Sequence, residues 1–192
     1  MEIKKFGRNE RPLNDEKPVI EDKVEKNGSV VVPKKLNEQT VSQLTDRLKD
    51  EYTAHFYYRS AANWCRNMNY KKAAAFFENE ANTELEHATG LQEYMDDFNV
   101  QPEIPQTETD FKFSTLVDII NGAYDMELNL LNAYNKSSSE LFTSDLTTFD
   151  FLQSYRTGQK EAVIEYSDLL NALVLVDHND KFQVLYFEQT YF

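Results

Sequence analysis

With Cys65 as its only cysteine in 192 residues, the chain can form no intrachain disulfide. That suits a reducing compartment and is the ground for expecting a cytoplasmic protein. No apolar run approaches the roughly 20 residues that a membrane-spanning helix needs. The opening stretch "MEIKKFGRNERPLNDEK" lacks the apolar centre of a secretory signal. Positive charge is scarce as well: 20 basic residues stand against 33 acidic ones, a net charge of -13. Such a balance argues against a nucleic-acid backbone as the main partner, because phosphate binding needs a clustered basic surface. It fits a protein that attracts cations, or one that is merely kept soluble by its charge. Glycine and proline number only five each, and most lie outside the long helical patterns, so little interrupts them.

What is present is helical periodicity. Residues 1–35 are rich in charge and carry three prolines. Apart from "SVVVP", which can pair briefly as an edge strand, they show no sustained period and read as a flexible N-terminal arm. From Leu36 four long patterns follow, over about 37–67, 70–98, 113–142 and 147–175, with a short aromatic segment, "KFQVLYFEQTYF", at the end. The second connection, "NVQPEIPQTETDFK", is polar and holds two prolines. Fourteen extended residues reach about 46–50 Å, and a helix of 28 residues is about 42 Å long. That loop can therefore cross the length of a bundle, whereas the other two connections are short and imply antiparallel neighbours. The expected fold is all-α: a four-helix bundle over 36–176 with one long crossover, followed by a short C-terminal segment, 177–192.

Each helix should bury a stripe that recurs at alternating steps of three and four. Every one of the four stripes is interrupted near its middle by a polar residue. These are Glu51 between Leu48 and His55, Glu84 between Ala81 and Ala88, Glu127 between Ala123 and Leu130, and Gln159 between Tyr155 and Ala162. His87 follows Glu84 by one turn, inside "NTELEHATG", on nearly the same face. A lone ionised carboxylate in a core is costly, and three at one depth would also repel one another. A di- or trivalent metal removes both penalties. Three glutamates, a histidine and a glutamine form an oxygen-rich set that suits iron or manganese better than thiolate-favouring metals. Tyr58, two turns after Glu51, is placed to hydrogen-bond a ligand, to relay an electron, or simply to pack. His55 reads equally as a satisfied core histidine or a supporting partner, Cys65 as a small buried apolar group, and Glu86 as facing solvent.

At these residues the sequence resembles the bacterial non-haem ferritins, over about residues 36–190. "LNEQTVSQLTDRLKDEYTAHFYYRSAANWC", "YKKAAAFFENEANTELEHATGLQEYM" and "TTFDFLQSYRTGQKEAVIEYSDLL" are similar to the first, second and fourth helices of that family, and "VLYF" to its C-terminal segment. The resemblance implies an intrasubunit di-iron ferroxidase centre. In it Glu51, Glu84 and His87 hold the first iron, Glu84 bridges to a second that Glu127 also binds, and Gln159 and Tyr58 stand beside them. It further implies oxidation of Fe(II) by dioxygen or peroxide, and a homo-oligomeric cage of 24 subunits that stores the Fe(III) mineral. The third iron site that such proteins often carry would fall on Thr83, Gly158, Glu161 and Ala162, where only one carboxylate remains. Two other readings accompany this one: a di-iron or iron–manganese oxidoreductase on the same bundle, and a non-catalytic helical assembly protein.

Overall fold

The computed structural model describes residues 33–192. The arm assigned to residues 1–35 and the strand read in "SVVVP" therefore lie, apart from Pro33 to Lys35, outside the described residues. The rest is helical: α1 (Glu38–Asn67), α2 (Lys71–Asp97), α3 (Leu116–Leu141), α4 (Leu146–Phe151), α5 (Gln153–Leu173) and α6 (Lys181–Tyr191). Among the described residues, no helix is long and apolar enough to cross a membrane.

The helix ends follow from side-chain chemistry. Asn37 starts α1 by accepting the Thr40 amide at 2.8 Å, which satisfies one of the amides left free in a first turn. Residues 113–115 do not join α3, because Thr115 and Asp118 cap one another's backbone and set the start at Leu116. Asn69 and Asn99, with φ of 64° and 59°, turn the chain out of α1 and α2 in the left-handed conformation that asparagine tolerates.

Cross-helix pairs give the topology. Gln43 meets Glu140, Arg47 meets Ser137 and Tyr57 meets Ile119, so α1 and α3 run antiparallel. Tyr52 meets Gln92 and Arg59 meets Glu78, so α1 and α2 also run antiparallel. Hence α2 and α3 are parallel, and residues 98–115 make the long crossover. This segment lies along α1: the Thr53 and Thr107 hydroxyls are hydrogen-bonded, and Phe111 and Phe113 each meet the Tyr57 ring edge-on. The Tyr57 hydroxyl in turn donates to the Ile119 carbonyl at 2.7 Å. A Cβ at residue 122 would collide with that hydroxyl, which explains Gly122.

The fourth helical pattern, expected to be continuous, is broken at Leu152 into α4 and α5. The break lets two aromatic contacts form at once. Phe151 stacks on Tyr94 with centroids 3.9 Å apart, and Tyr155 stacks on Tyr134 at 5.4 Å. Arg156 secures the bend by donating to the Phe149 carbonyl and lying over the Phe149 ring. The C-terminal segment is the helix α6, started by Asp180. Its fully buried Glu188 accepts the backbone amides of Lys72 and Ala73 at 2.7 and 3.0 Å, and so caps α2 from the far end of the chain.

Candidate metal centre

The polar interruptions of the four stripes are buried: Glu51, Glu84, Glu127 and Gln159 are each 3% exposed or less. Their neighbours in the core are Leu48, Ala54, Ala81, Ala88, Ala123 and Leu130. The one-turn spacing of Glu84 and His87 on α2 aims both toward Glu51 on α1. His87 Nδ1 lies 2.9 Å from Glu84 Oε2 and 3.5 Å from Glu51 Oε2. One ligand atom from each of the three residues falls within 4.8 Å of the other two, a separation at which one ion can be shared.

Glu127 stands on α3 with its Oε1 accepting the Tyr58 hydroxyl. On the other side, the Tyr134 hydroxyl donates to Glu51 Oε1. Gln159 is buried on α5. Glu51, Glu84 and His87 thus come together as a tight trio, with Glu127 close enough to be felt electrostatically by Glu84 and by Tyr58. Glu51 Oε2, Glu127 Oε2 and Gln159 Oε1 have no hydrogen-bond partner in the protein. Buried polar atoms are rarely left so, and three acceptor oxygens without donors are what a cation satisfies. The donor set fits iron on that ground: hard oxygens with one imidazole.

The electrostatics describe a site charged with protons until a cation replaces them. Burial pushes the Glu84 carboxyl well up, and the Glu51 carboxylate adds to the effect. Burial likewise raises Glu127, to about 8, although the Tyr58 hydrogen bond opposes it. For His87, burial disfavours the imidazolium, but the Glu51 and Glu84 carboxylates outweigh it and raise the ring to about 10. Since Glu84 and Glu127 both hold their protons above the ordinary value of 4.5, Glu127 up to about 8, the native state binds more protons than the unfolded chain over that range. Stability then falls as pH rises through that window. The His87 contribution is fully present below 6.5 and is lost as pH climbs through about 10, a slope of the same sign. The melting temperature of metal-free protein is therefore expected to fall from pH 5 to pH 8. Because binding displaces these protons, the stabilisation that Fe(II) confers should grow over the same interval. A metal-free melting temperature that rises with pH would contradict the protonated layer.

Two polar groups near the trio are not marked out by the sequence pattern. Tyr134 falls seven residues after Glu127 on the buried stripe of α3, yet its hydroxyl serves Glu51. A buried tyrosine usually finds a partner for its hydroxyl, and this was the available signal. Glu80, one turn before Glu84, is half-buried and raised to about 7 by burial and by Glu165, with His87 opposing. Of the other singled-out residues, His55 sits on the α1–α2 seam with Nδ1 2.6 Å from the Ala81 carbonyl. Cys65 is buried with its thiol pushed up to about 12, first by burial and then by Glu188. Glu86 is exposed. At the third-site positions Glu161 is exposed, beside Glu165 and Asp168 in a surface groove. Nothing lies within 4 Å of where a Cβ would stand at Gly158. Gly158→Ala should therefore stabilise the metal-free protein by about 1 kcal/mol, the helix-interior difference, in urea denaturation. A loss of stability would mean that something outside the chain packs there.

Comparison with known proteins agrees with this architecture. The ferritin family, described as a ferritin-like domain, matches residues 41–176. A bacterial non-heme ferritin of Campylobacter jejuni is 28% identical over 145 residues, covering 73% of this chain and 86% of its own. One from Escherichia coli O157:H7 is 26% identical over 142 residues with the same coverage. Among solved structures, the open-pore ferritin of the archaeon Archaeoglobus fulgidus superposes with a TM-score of 0.73 at 18% identity, over 81% of this chain and 97% of that one. The ferritin of Chlorobium tepidum gives 0.71 at 22%, over 79% and 93%.

Proposed function

The chain belongs to the ferritin family, and on that premise we propose that it is an iron-storage ferroxidase. It takes Fe(II) as substrate, oxidises it with dioxygen or peroxide, and passes Fe(III) to a mineral held within a homo-oligomeric cage. The observation that carries this reading is the buried trio of Glu51, Glu84 and His87 with ligand atoms within 4.8 Å of one another. The unpartnered oxygens of Glu51, Glu127 and Gln159 support it. In this reading Glu51, Glu84 and His87 hold one iron. Glu84 and Glu127 hold the second with Gln159 beside it, and Tyr58 steadies Glu127. Bound iron supplies the electrons, and the carboxylate oxygens favour the ferric product because hard donors stabilise the higher charge. The net charge of -13 draws Fe(II) toward the protein. The single, buried Cys65 supports a reducing compartment such as the cytoplasm.

With one carboxylate left among Thr83, Gly158, Glu161 and Ala162, two irons rather than three should bind tightly to each subunit. Anaerobic Fe(II) titration by calorimetry reads this count. Absence of stoichiometric binding would sink the ferroxidase reading in favour of a helical assembly protein. A third tight iron contacting Glu161 would refute the count alone. Oxidation without accumulation of mineral would point instead to an oxidoreductase on the same bundle.

A further inference from the structure

Tyr134 raises a question that ligation does not answer. Its ring is fully buried on α3, and its hydroxyl donates to Glu51 Oε1, while Glu51 Oε2 faces His87 and Glu84. Tyr58 does the same for Glu127 from α1. The layer is thus bracketed by two phenols, each on a different candidate ligand. A phenylalanine would fill the same space without bringing a hydroxyl that must be satisfied. We propose that Tyr134 is a redox-active residue which delivers one electron and one proton to the oxidation of Fe(II) by dioxygen. The inference rests on the ferroxidase reading above.

The electron balance motivates it. Reducing dioxygen to two waters takes four electrons and four protons, and two Fe(II) supply only two electrons. In this chain the positions of a third iron retain a single carboxylate, Glu161. Tyr58 and Tyr134 make up the difference. Each O–H bond breaks, one electron from each phenol goes to oxygen, and two further protons come from water. Two Fe(II), two tyrosines, one dioxygen and two protons become two Fe(III), two neutral tyrosyl radicals and two waters. Atoms and charge balance, and dioxygen is the only oxidant.

The surroundings of Tyr134 suit the step. The Arg47 guanidinium carbon lies 5.8 Å from the ring centroid, and the Tyr155 ring stacks on it at 5.4 Å with planes 22° apart. A nearby positive charge disfavours a radical cation on this ring, so the proton must leave with the electron. Glu51 Oε1, which already accepts the hydrogen bond, is placed to take it. Tyr155 holds the ring in one orientation and is itself fixed by donating to the His87 carbonyl at 3.2 Å.

The test uses full-length protein loaded anaerobically with two Fe(II) per subunit, mixed with dioxygen and freeze-quenched for electron paramagnetic resonance. Released hydrogen peroxide is assayed in parallel. The parent should show two tyrosyl components and release little peroxide. Tyr134→Phe should lose one component and release peroxide, with radical and peroxide both counted per iron bound in its own anaerobic Fe(II) isotherm. Tyr58→Phe should keep the component that Tyr134→Phe loses. If Tyr134→Phe keeps the parental radical yield and peroxide release, this inference falls and the ferroxidase reading stands. Weaker anaerobic binding with an unchanged radical yield per bound iron would make Tyr134 a clamp for Glu51 and overturn it too. A parent that oxidises no Fe(II) would sink both.

Discussion

Glu84→Ala should abolish rapid Fe(II) oxidation without unfolding the protein. Glu84 lies 2.9 Å from His87, and the Glu51 and Glu127 carboxylates both act on its carboxyl. Loss of a group that merely orients a metal ligand costs about 10–100-fold in affinity or activity. In the proposed centre two irons share Glu84, so its loss should exceed that. The fold has less to lose, because in metal-free protein the Glu84 carboxyl is held protonated by burial beside two other acids. The melting temperature of metal-free Glu84→Ala should match or exceed the parent's at pH 8, where the acids cost most. Glu84→Gln keeps the side-chain volume and separates loss of charge from the void that alanine leaves. Stopped-flow oxidation at the parental rate in either variant would show that the site has been assigned to the wrong residues.

The second large effect concerns assembly. The aromatic C-terminal segment presents two kinds of apolar side chain. Phe187 and Val184 are buried against the bundle, so they hold α6 to its own chain. Phe182 is 74% and Tyr186 66% exposed, one turn apart on α6. Large exposed aromatics on one face of a helix mark a contact surface. Phe182→Lys together with Tyr186→Lys should therefore disrupt the oligomer. A buried aromatic anchor contributes about 2 kcal/mol or more per interface, and closed symmetry repeats that loss at every copy. The variant should sediment as small species, while its far-UV circular dichroism stays parental because Phe187 and the Glu188 cap on α2 are untouched. Parent protein that sediments as a stable monomer at micromolar concentration would count decisively against a cage.

Periodicity alone places Glu51, Glu84, Glu127 and Gln159 on buried faces, because an α-helix repeats every 3.6 residues and its core side follows from the flanking apolar residues. The same arithmetic locates α1, α2 and α3 to within a few residues, and loop length alone predicts the parallel start of α3. Which polar group meets which is a different matter. It depends on how far each helix is rotated and slid against its neighbours, and a single strand of sequence does not carry those quantities. That is why the pattern does not distinguish Tyr134 from a core filler, and only the packing of α1 on α3 brings its hydroxyl to Glu51. It is also why no local pattern announced Glu188 as the cap of α2, 115 residues away at Ala73. The break at Leu152 has the same origin. Nothing in "TTFDFLQSYRTG" forbids a continuous helix, and the rings on either side of the break stack on Tyr94 and Tyr134, which belong to two other helices.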